Sequence, residues 1–410
     1  MSDNAQIKPK KSSMLSWSIF IITLSLVLTS LISVVFPALI VRTFSPIEDS
    51  PVNPWEIGAL AAPLIITNLI LLGIGLAYFK NKLPLPITKA LRFIFNFEVS
   101  KKISIIVIVA MLSIYISLSV SELGETEKWF DSPLVQRNAE NWNIDKIGES
   151  FYAPFRLFLL SSSINLFDNI RVIPFIASIV LVVLTYFITR EISHKRFAGL
   201  VAVAILLQSN IFLKYDTTST YENFWTTLYI FSLYLIYKAW PLSPISYVLS
   251  FFSKPLTAAF LPMTFFLIYR AEISRQKKIF LALSYLIIAV TGLVIILILD
   301  VNFVKTSEDF IQLYFWQGFT SIPLSLRFDF LILFFLLPLI VGLFLSSRKG
   351  ILQADSIMVL IAGIIVIAPF LSGFTEITNQ PYRFIPLVVF FAMGVGILLS
   401  KRESKSIPKS

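Results

Sequence analysis

Ten apolar runs, each long enough to cross about 30 Å of hydrocarbon as a helix, follow one another along the chain. They fall at residues 15–40, 57–79, 103–120, 172–188, 197–213, 224–237, 279–299, 328–345, 351–371 and 384–399. A chain with this pattern has few options, because lipid offers no partner to exposed backbone polar groups and only helices or closed barrels span it. The runs are continuous rather than alternating, so the predicted fold class is all-α, a polytopic membrane protein. The composition agrees, at 56% hydrophobic and 14% charged residues, far from a soluble domain on both counts. The first run is too long for a signal-peptide core and no small-residue cleavage site follows it, so it should persist as a helix.

Lysine and arginine in short connections mark the cytoplasmic side. Lys8, Lys10 and Lys11 open the chain; Lys80, Lys82, Lys89, Arg92, Lys101 and Lys102 follow the second run; Arg190, Lys195 and Arg196 follow the fourth. Arg270, Arg275, Lys277, Lys278, Arg348, Lys349 and the tail "KRESKSIPKS" continue the series. The alternate connections carry Glu48, Asp49 and most of the remaining acids, and belong outside. For the alternation to close, the chain must leave and re-enter one side between Lys238 and Arg270. Two short segments, 244–252 and 256–269, are therefore expected there, with Lys254 and Pro255 at the bend; proline favours the break. The expectation is about twelve crossings with both termini cytoplasmic.

The net charge of +10 sits in these short clusters rather than on a basic face, which argues against nucleic acid. Without cysteine, and with His194 the sole histidine, thiolate chemistry and a histidine-rich metal centre are excluded. His194 stands among basic turn residues and reads as solvated. Any chemistry must rest on carboxylates, hydroxyls, amines and guanidinium groups.

The connection 121–169 is too long for a turn, and its aromatic content, including Trp129, Phe130, Trp142, Phe151, Tyr152 and Phe155, predicts an ordered segment. "APFRLFLLSSSINLF" is apolar but carries Arg156 and three serines, the pattern of a helix lying in the interface.

From residue 103 onward the order of features resembles the GT-C class of integral-membrane glycosyltransferases, which includes protein O-mannosyltransferases and lipid A aminoarabinose transferases. "ELGETEKWFD" and "APFRLFLLSSSINLF" resemble that class's acid-bearing first loop and its interfacial helices. "YDTTSTYENFWTTLYIF" is similar to its second outer loop, "LSFFSKPLTAAFLP" to its "llsKp" turn, and "QPYRFIPLVVFFAMGVGILL" to its late "RYllP" segment. The likeness covers about three quarters of the chain by this reading. The class commonly has a paired first-loop acid, whereas Glu122, Glu125, Glu127 and Asp131 are spread out. Residues 1–100 read as an N-terminal two-helix membrane extension, 101–400 as the GT-C-like core including loop 121–169, and 401–410 as a basic tail.

The resemblance implies sugar transfer, with inversion, from a polyprenyl-phosphate donor to a glycan, lipid or protein acceptor on the extracytoplasmic face. Such a transfer needs a carboxylate to take the acceptor proton and cations to stabilise charge on the departing phosphate. Asp131, Glu222 and Glu122 are the candidate catalytic acids, and Lys254 and Arg383 the candidate phosphate ligands; Glu127, Asp216 and Arg171 are additional candidates. Asp131 and Glu222 are also the candidate ligands for a divalent cation, magnesium or manganese. Each has a plainer reading: Asp131 as a turn former, Glu222 as a first-turn helix acid, Asp216 as a loop acid or cap, Lys254 as a snorkelling residue, Arg383 as an outer-leaflet anchor, and Trp129, Trp142 and Trp316 as belt residues. The absence of cysteine and of any Asn-x-Ser/Thr site is compatible with a prokaryotic cell membrane. The alternatives are a non-catalytic membrane subunit and a lipid-linked sugar flippase or transporter, although no inverted repeat relates the halves.

Overall fold

The computed structural model describes residues 14–39, 53–143, 153–299, 310–326, 329–374 and 380–400. The N-terminal lysines, Glu48 and Asp49, Phe151 and Tyr152 of the long loop, residues 300–309 and 327–328, and the basic tail lie outside these residues.

All regular secondary structure among the described residues is helical. The helices are α1 (Met14–Val35), α2 (Ala61–Phe79), α3 (Leu85–Asn96), α4 (Lys101–Ser119), α5 (Ser132–Glu140) and α6 (Pro154–Phe167). They continue with α7 (Val172–Ser193), α8 (Arg196–Leu207), α9 (Asn210–Tyr215), α10 (Phe224–Lys238), α11 (Ser243–Ser253) and α12 (Leu261–Arg270). The last five are α13 (Arg275–Leu299), α14 (Gln312–Leu326), α15 (Phe330–Arg348), α16 (Gln353–Phe374) and α17 (Ile385–Leu398). Among the described residues, seven helical segments are long and apolar enough to cross a membrane, with shorter apolar helices at Arg196–Leu207 and Pro255–Arg270.

Helix α17 is the axis of the bundle. It is buried along almost its whole length and packs against α7, α8, α15 and α16. Close approach depends on missing side chains: a Cβ on Gly396 would stand 2.4 Å from Thr189 Cγ2 and 2.8 Å from the Ala198 carbonyl oxygen. Small residues at such crossings let helix backbones meet in lipid. Helix α1 lies against α14, α15 and α16. Its Ser16 hydroxyl donates to Asp355 Oδ2 at 2.7 Å, and the buried Arg270 reaches the same oxygen at 2.5 Å. One ion pair thus ties α1, α12 and α16 together.

Three local features refine the sequence expectation. The basic connection after the second apolar run contains α3, an amphipathic helix with no buried residue; Ile87, Leu91, Ile94 and Phe95 follow helical spacing on one face while Lys89 and Arg92 stay polar. The run 197–213 is broken into α8 and α9, where Ser209 caps the second helix by accepting from the Phe212 amide at 3.1 Å. The bend at Lys254 is present: α11 ends at Ser253, Lys254 is extended, and a 3₁₀ turn over Pro255–Phe260 leads into α12.

Candidate functional site

Four segments far apart in sequence meet at one end of the bundle. They are the first loop with α5 and α6, the 216–223 loop before α10, the Lys254 bend, and the Pro381–Phe384 turn before α17. Between them lies a cavity of about 570 Å³ whose lining includes Asp131, Arg156, Glu222, Lys254, Tyr382 and Arg383.

Each position follows from local structure. Asp131 is the residue before α5, yet its carboxylate makes no cap bond; it is exposed and accepts from the Tyr221 hydroxyl at 3.3 Å. Glu222 precedes α10 and is only 6% exposed, unlike a solvated first-turn acid. Arg156 Nε donates to Glu222 Oε2 at 3.0 Å, and its Nη2 donates to the Thr220 carbonyl at 2.7 Å and the Ser219 carbonyl at 3.2 Å. Lys254 is held at the bend with its ammonium 4.4 Å from the Tyr382 ring centroid and 5.5 Å from that of Trp225. Arg383 Nε faces the Tyr382 hydroxyl at 3.4 Å.

Aromatic rings hold these segments in register. Tyr221 and Tyr382 stack with centroids 4.2 Å apart and planes 12° from parallel. Tyr215 meets both rings edge-on, and Trp129 stacks on Tyr215 at 5.4 Å. Trp142 packs on Phe158 at the far side of the cavity, whereas Trp316 lies on α14, half exposed and away from it.

The electrostatics are those of a cationic, partly dry cleft. Burial raises the Glu222 carboxyl above its ordinary range, and the Arg156 and Lys254 charges oppose that shift. Burial likewise lowers the Lys254 ammonium; Tyr382 and Glu222 oppose the effect, and Arg383 and Arg156 add to it. Two cations, Arg156 and Lys254, therefore act on one buried carboxylate, and Arg383 lines the same cavity beside Lys254.

Glu122, Glu127 and Arg171 do different work. The buried Arg171 donates from Nε to the Thr217 carbonyl at 2.8 Å, from Nη2 to the Thr217 hydroxyl at 2.9 Å, and from Nη1 to the carbonyls of Glu122 and, at 2.6 Å, Glu125. Glu122 Oε2 accepts from the Thr217 hydroxyl at 2.8 Å. Glu127 accepts from the Ser219 amide and from the Thr220 amide and hydroxyl. These three residues clamp the first loop to the second, and none lines the cavity. Asp216 is fully buried behind the clamp, accepting from the Ser119 hydroxyl at 3.0 Å. Burial pushes its carboxyl up to about 7, against the opposing pull of the neighbouring Tyr115 and Ser119 hydroxyls.

Magnesium or manganese finds a poor donor set between Asp131 and Glu222, because the Arg156 guanidinium already occupies Glu222 Oε2 and Lys254 adds further positive charge. Among the described residues, no group of three or more His, Asp or Glu side chains converges. Sequence reading missed Arg156 as a site residue and treated it as an interruption in an interfacial helix. The available signal was the guanidinium itself, since a lone arginine in an apolar run usually has a buried partner. Tyr221 and Tyr382 carried no comparable signal, because aromatic residues are common throughout the chain. Comparison with protein-family models, curated proteins and solved structures finds no match.

Proposed function

We propose that this chain is a membrane glycosyltransferase that moves a sugar from a polyprenyl-phosphate carrier to a hydroxyl acceptor at the face bearing the 570 Å³ cavity. In this reading that face is extracytoplasmic, the basic clusters lie inside, and the seven long helices with the shorter apolar ones form a GT-C-like bundle of about twelve crossings. One observation carries the proposal: Asp131, Glu222, Lys254 and Arg383, chosen for their chemistry from four separate segments, line the same cavity.

The roles follow from the contacts. Asp131 is the general base, because it is exposed and, among the described residues, engaged by one long hydroxyl contact, so it can take a proton. Glu222 is committed to Arg156 and is a positioning residue that aims the guanidinium into the cavity. Lys254, Arg383 and Arg156 hold the donor phosphate; arginine offers paired donors and lysine a point charge. The acceptor oxygen forms a bond to the anomeric carbon and its proton passes to Asp131. The bond from that carbon to the phosphate oxygen breaks, and the electron pair leaves on the polyprenyl phosphate beside the cations.

The test is transfer of labelled sugar from a polyprenyl-phosphate donor by purified protein in lipid nanodiscs. Asp131→Asn should lower kcat roughly 100-fold or more, the usual contribution of a positioned base, while leaving the protein folded. Wild-type-like turnover in Asp131→Asn removes the base assignment. Carrier movement across sealed vesicles without a covalent product favours the transporter instead.

A further inference from the structure

At the opposite end of the bundle, α4 and α7 leave a second, larger groove of about 1020 Å³ between them. One wall is Ile105, Ile108 and Leu112 of α4; the other is Val183 and Phe187 of α7. The helices touch through a 2.5 Å hydrogen bond between the Ser104 and Tyr186 hydroxyls. The neighbouring Ile106 and Val109 are exposed, so α4 stands at the rim of the bundle and the groove is reachable from the side.

Cations crowd its mouth. Lys101, Arg190, Lys195 and Arg196 stand there, and among the described lining residues Glu98 is the one carboxylate. Most of these groups are already engaged. Glu98 Oε1 accepts from the Val99 and Arg196 amides at 2.9 and 3.1 Å. Lys195 is buried, with Nζ donating to the Phe95 carbonyl at 2.8 Å, and Arg196 Nη1 donates to the Val99 carbonyl at 3.3 Å. Arg190 differs. Its half-buried guanidinium rests 5.2 Å from the Phe187 centroid and 5.8 Å from that of Tyr186, and it makes no hydrogen bond or ion pair among the described residues. A planar fork of donors, fixed by ring contacts and left open, suits a phosphate diester.

We propose that this groove binds an anionic phospholipid, with its phosphate on Arg190 and Lys101 and the first part of an acyl chain along Ile105, Ile108 and Leu112. The charge surplus selects a net-negative headgroup over a zwitterionic one. The apolar walls continue directly from the cations, so lipid rather than free phosphate fits the whole groove. The site is separate from the Lys254 cavity and lies on the other face.

The test is native mass spectrometry of the full chain released from nanodiscs containing equal phosphatidylglycerol and phosphatidylcholine. Phosphatidylglycerol should be retained about tenfold over phosphatidylcholine. Each of Arg190→Gln and Lys101→Gln should lower that preference roughly fivefold, the effect of one cation at a membrane surface; Lys101 is exposed at a helix start, so its variant keeps the fold. Ile108→Trp, which fills the groove, should reduce retention of phosphatidylglycerol itself. Equal retention of both lipids, or an unchanged preference in both charge variants, overturns the proposal. Displacement of the lipid by millimolar inorganic phosphate overturns the lipid assignment as well.

Discussion

Arg156 Nε meets Glu222 Oε2 at 3.0 Å, and this contact joins the long first loop to the second across the floor of the cavity. Glu222 depends on Arg156 and the nearby Lys254 ammonium to balance its charge, because its side chain is only 5% exposed. Removing one member of a buried pair is costly, as it strands the other. Arg156→Met should therefore destabilise the protein by about 3 kcal/mol, a value typical of such pairs. Glu222→Gln keeps an acceptor for the guanidinium and should cost much less. Thermal unfolding in nanodiscs separates the two, and equal melting temperatures in both variants would show that the pair is not structural.

Asp216 should give stability a pH dependence of known sign. Its carboxyl rises from an ordinary 3.8 to about 7 through burial. The folded state then binds the proton more tightly than the unfolded chain, so its contribution is full below about pH 4 and is lost as pH rises towards 7. Asp216→Asn, neutral at every pH, should flatten that slope. The check is the difference in melting temperature between wild type and variant from pH 4 to 8; a constant difference counts against a buried, titrating Asp216.

Gly396 tests the packing of the central helix. A methyl group there would press on Thr189 Cγ2 and on the Ala198 carbonyl oxygen, a backbone atom that cannot turn aside. Gly396→Ala should cost about 1–3 kcal/mol by overpacking. Gly292, whose added Cβ would meet nothing within 4 Å, is the control, and Gly292→Ala should be neutral or slightly stabilising. Identical unfolding midpoints for the two variants would contradict the close crossing.

Much of this was readable in the sequence, for reasons that differ by residue. The helical body follows from apolar runs that lipid allows only as helices, and the Lys254 bend follows from charge alternation together with Pro255. Lys254 was legible as a cation at an outward bend, where the positive-inside pattern gives it no reason to be, and Arg383 as the arginine of the "QPYRF" stretch. Arg156 was not, because its partner Glu222 lies 66 residues away in sequence and long-range pairing leaves no local pattern. The roles of Glu122, Glu127 and Arg171 were hidden for the same reason: their partners are backbone and hydroxyl groups of 217–220 and the Glu122 and Glu125 carbonyls, and a backbone partner has no signature in composition. The α8 to α9 break was visible in Gln208, Ser209 and Asn210, but the flanking apolar residues masked it.

The Arg171 clamp yields a kinetic expectation. Arg171→Lys retains the charge but cannot reproduce donors to Thr217, Glu122 and Glu125 at once. The first and second loops should loosen, with faster protease cleavage and weaker donor binding, while Asp131 stays chemically intact. Unchanged protease sensitivity would show that the clamp does not order the loops.

Binding of a polyprenyl phosphate is the most direct test of the central claim. Titrating wild type and Lys254→Met/Arg383→Met with a short-chain polyprenyl monophosphate by native mass spectrometry measures whether the cavity holds that group. Saturable one-to-one binding by wild type, weakened at least about tenfold in the double variant, is the result expected if each lost cation contact is worth near 1 kcal/mol. Equal affinity in the two proteins, or no binding to wild type, would contradict it.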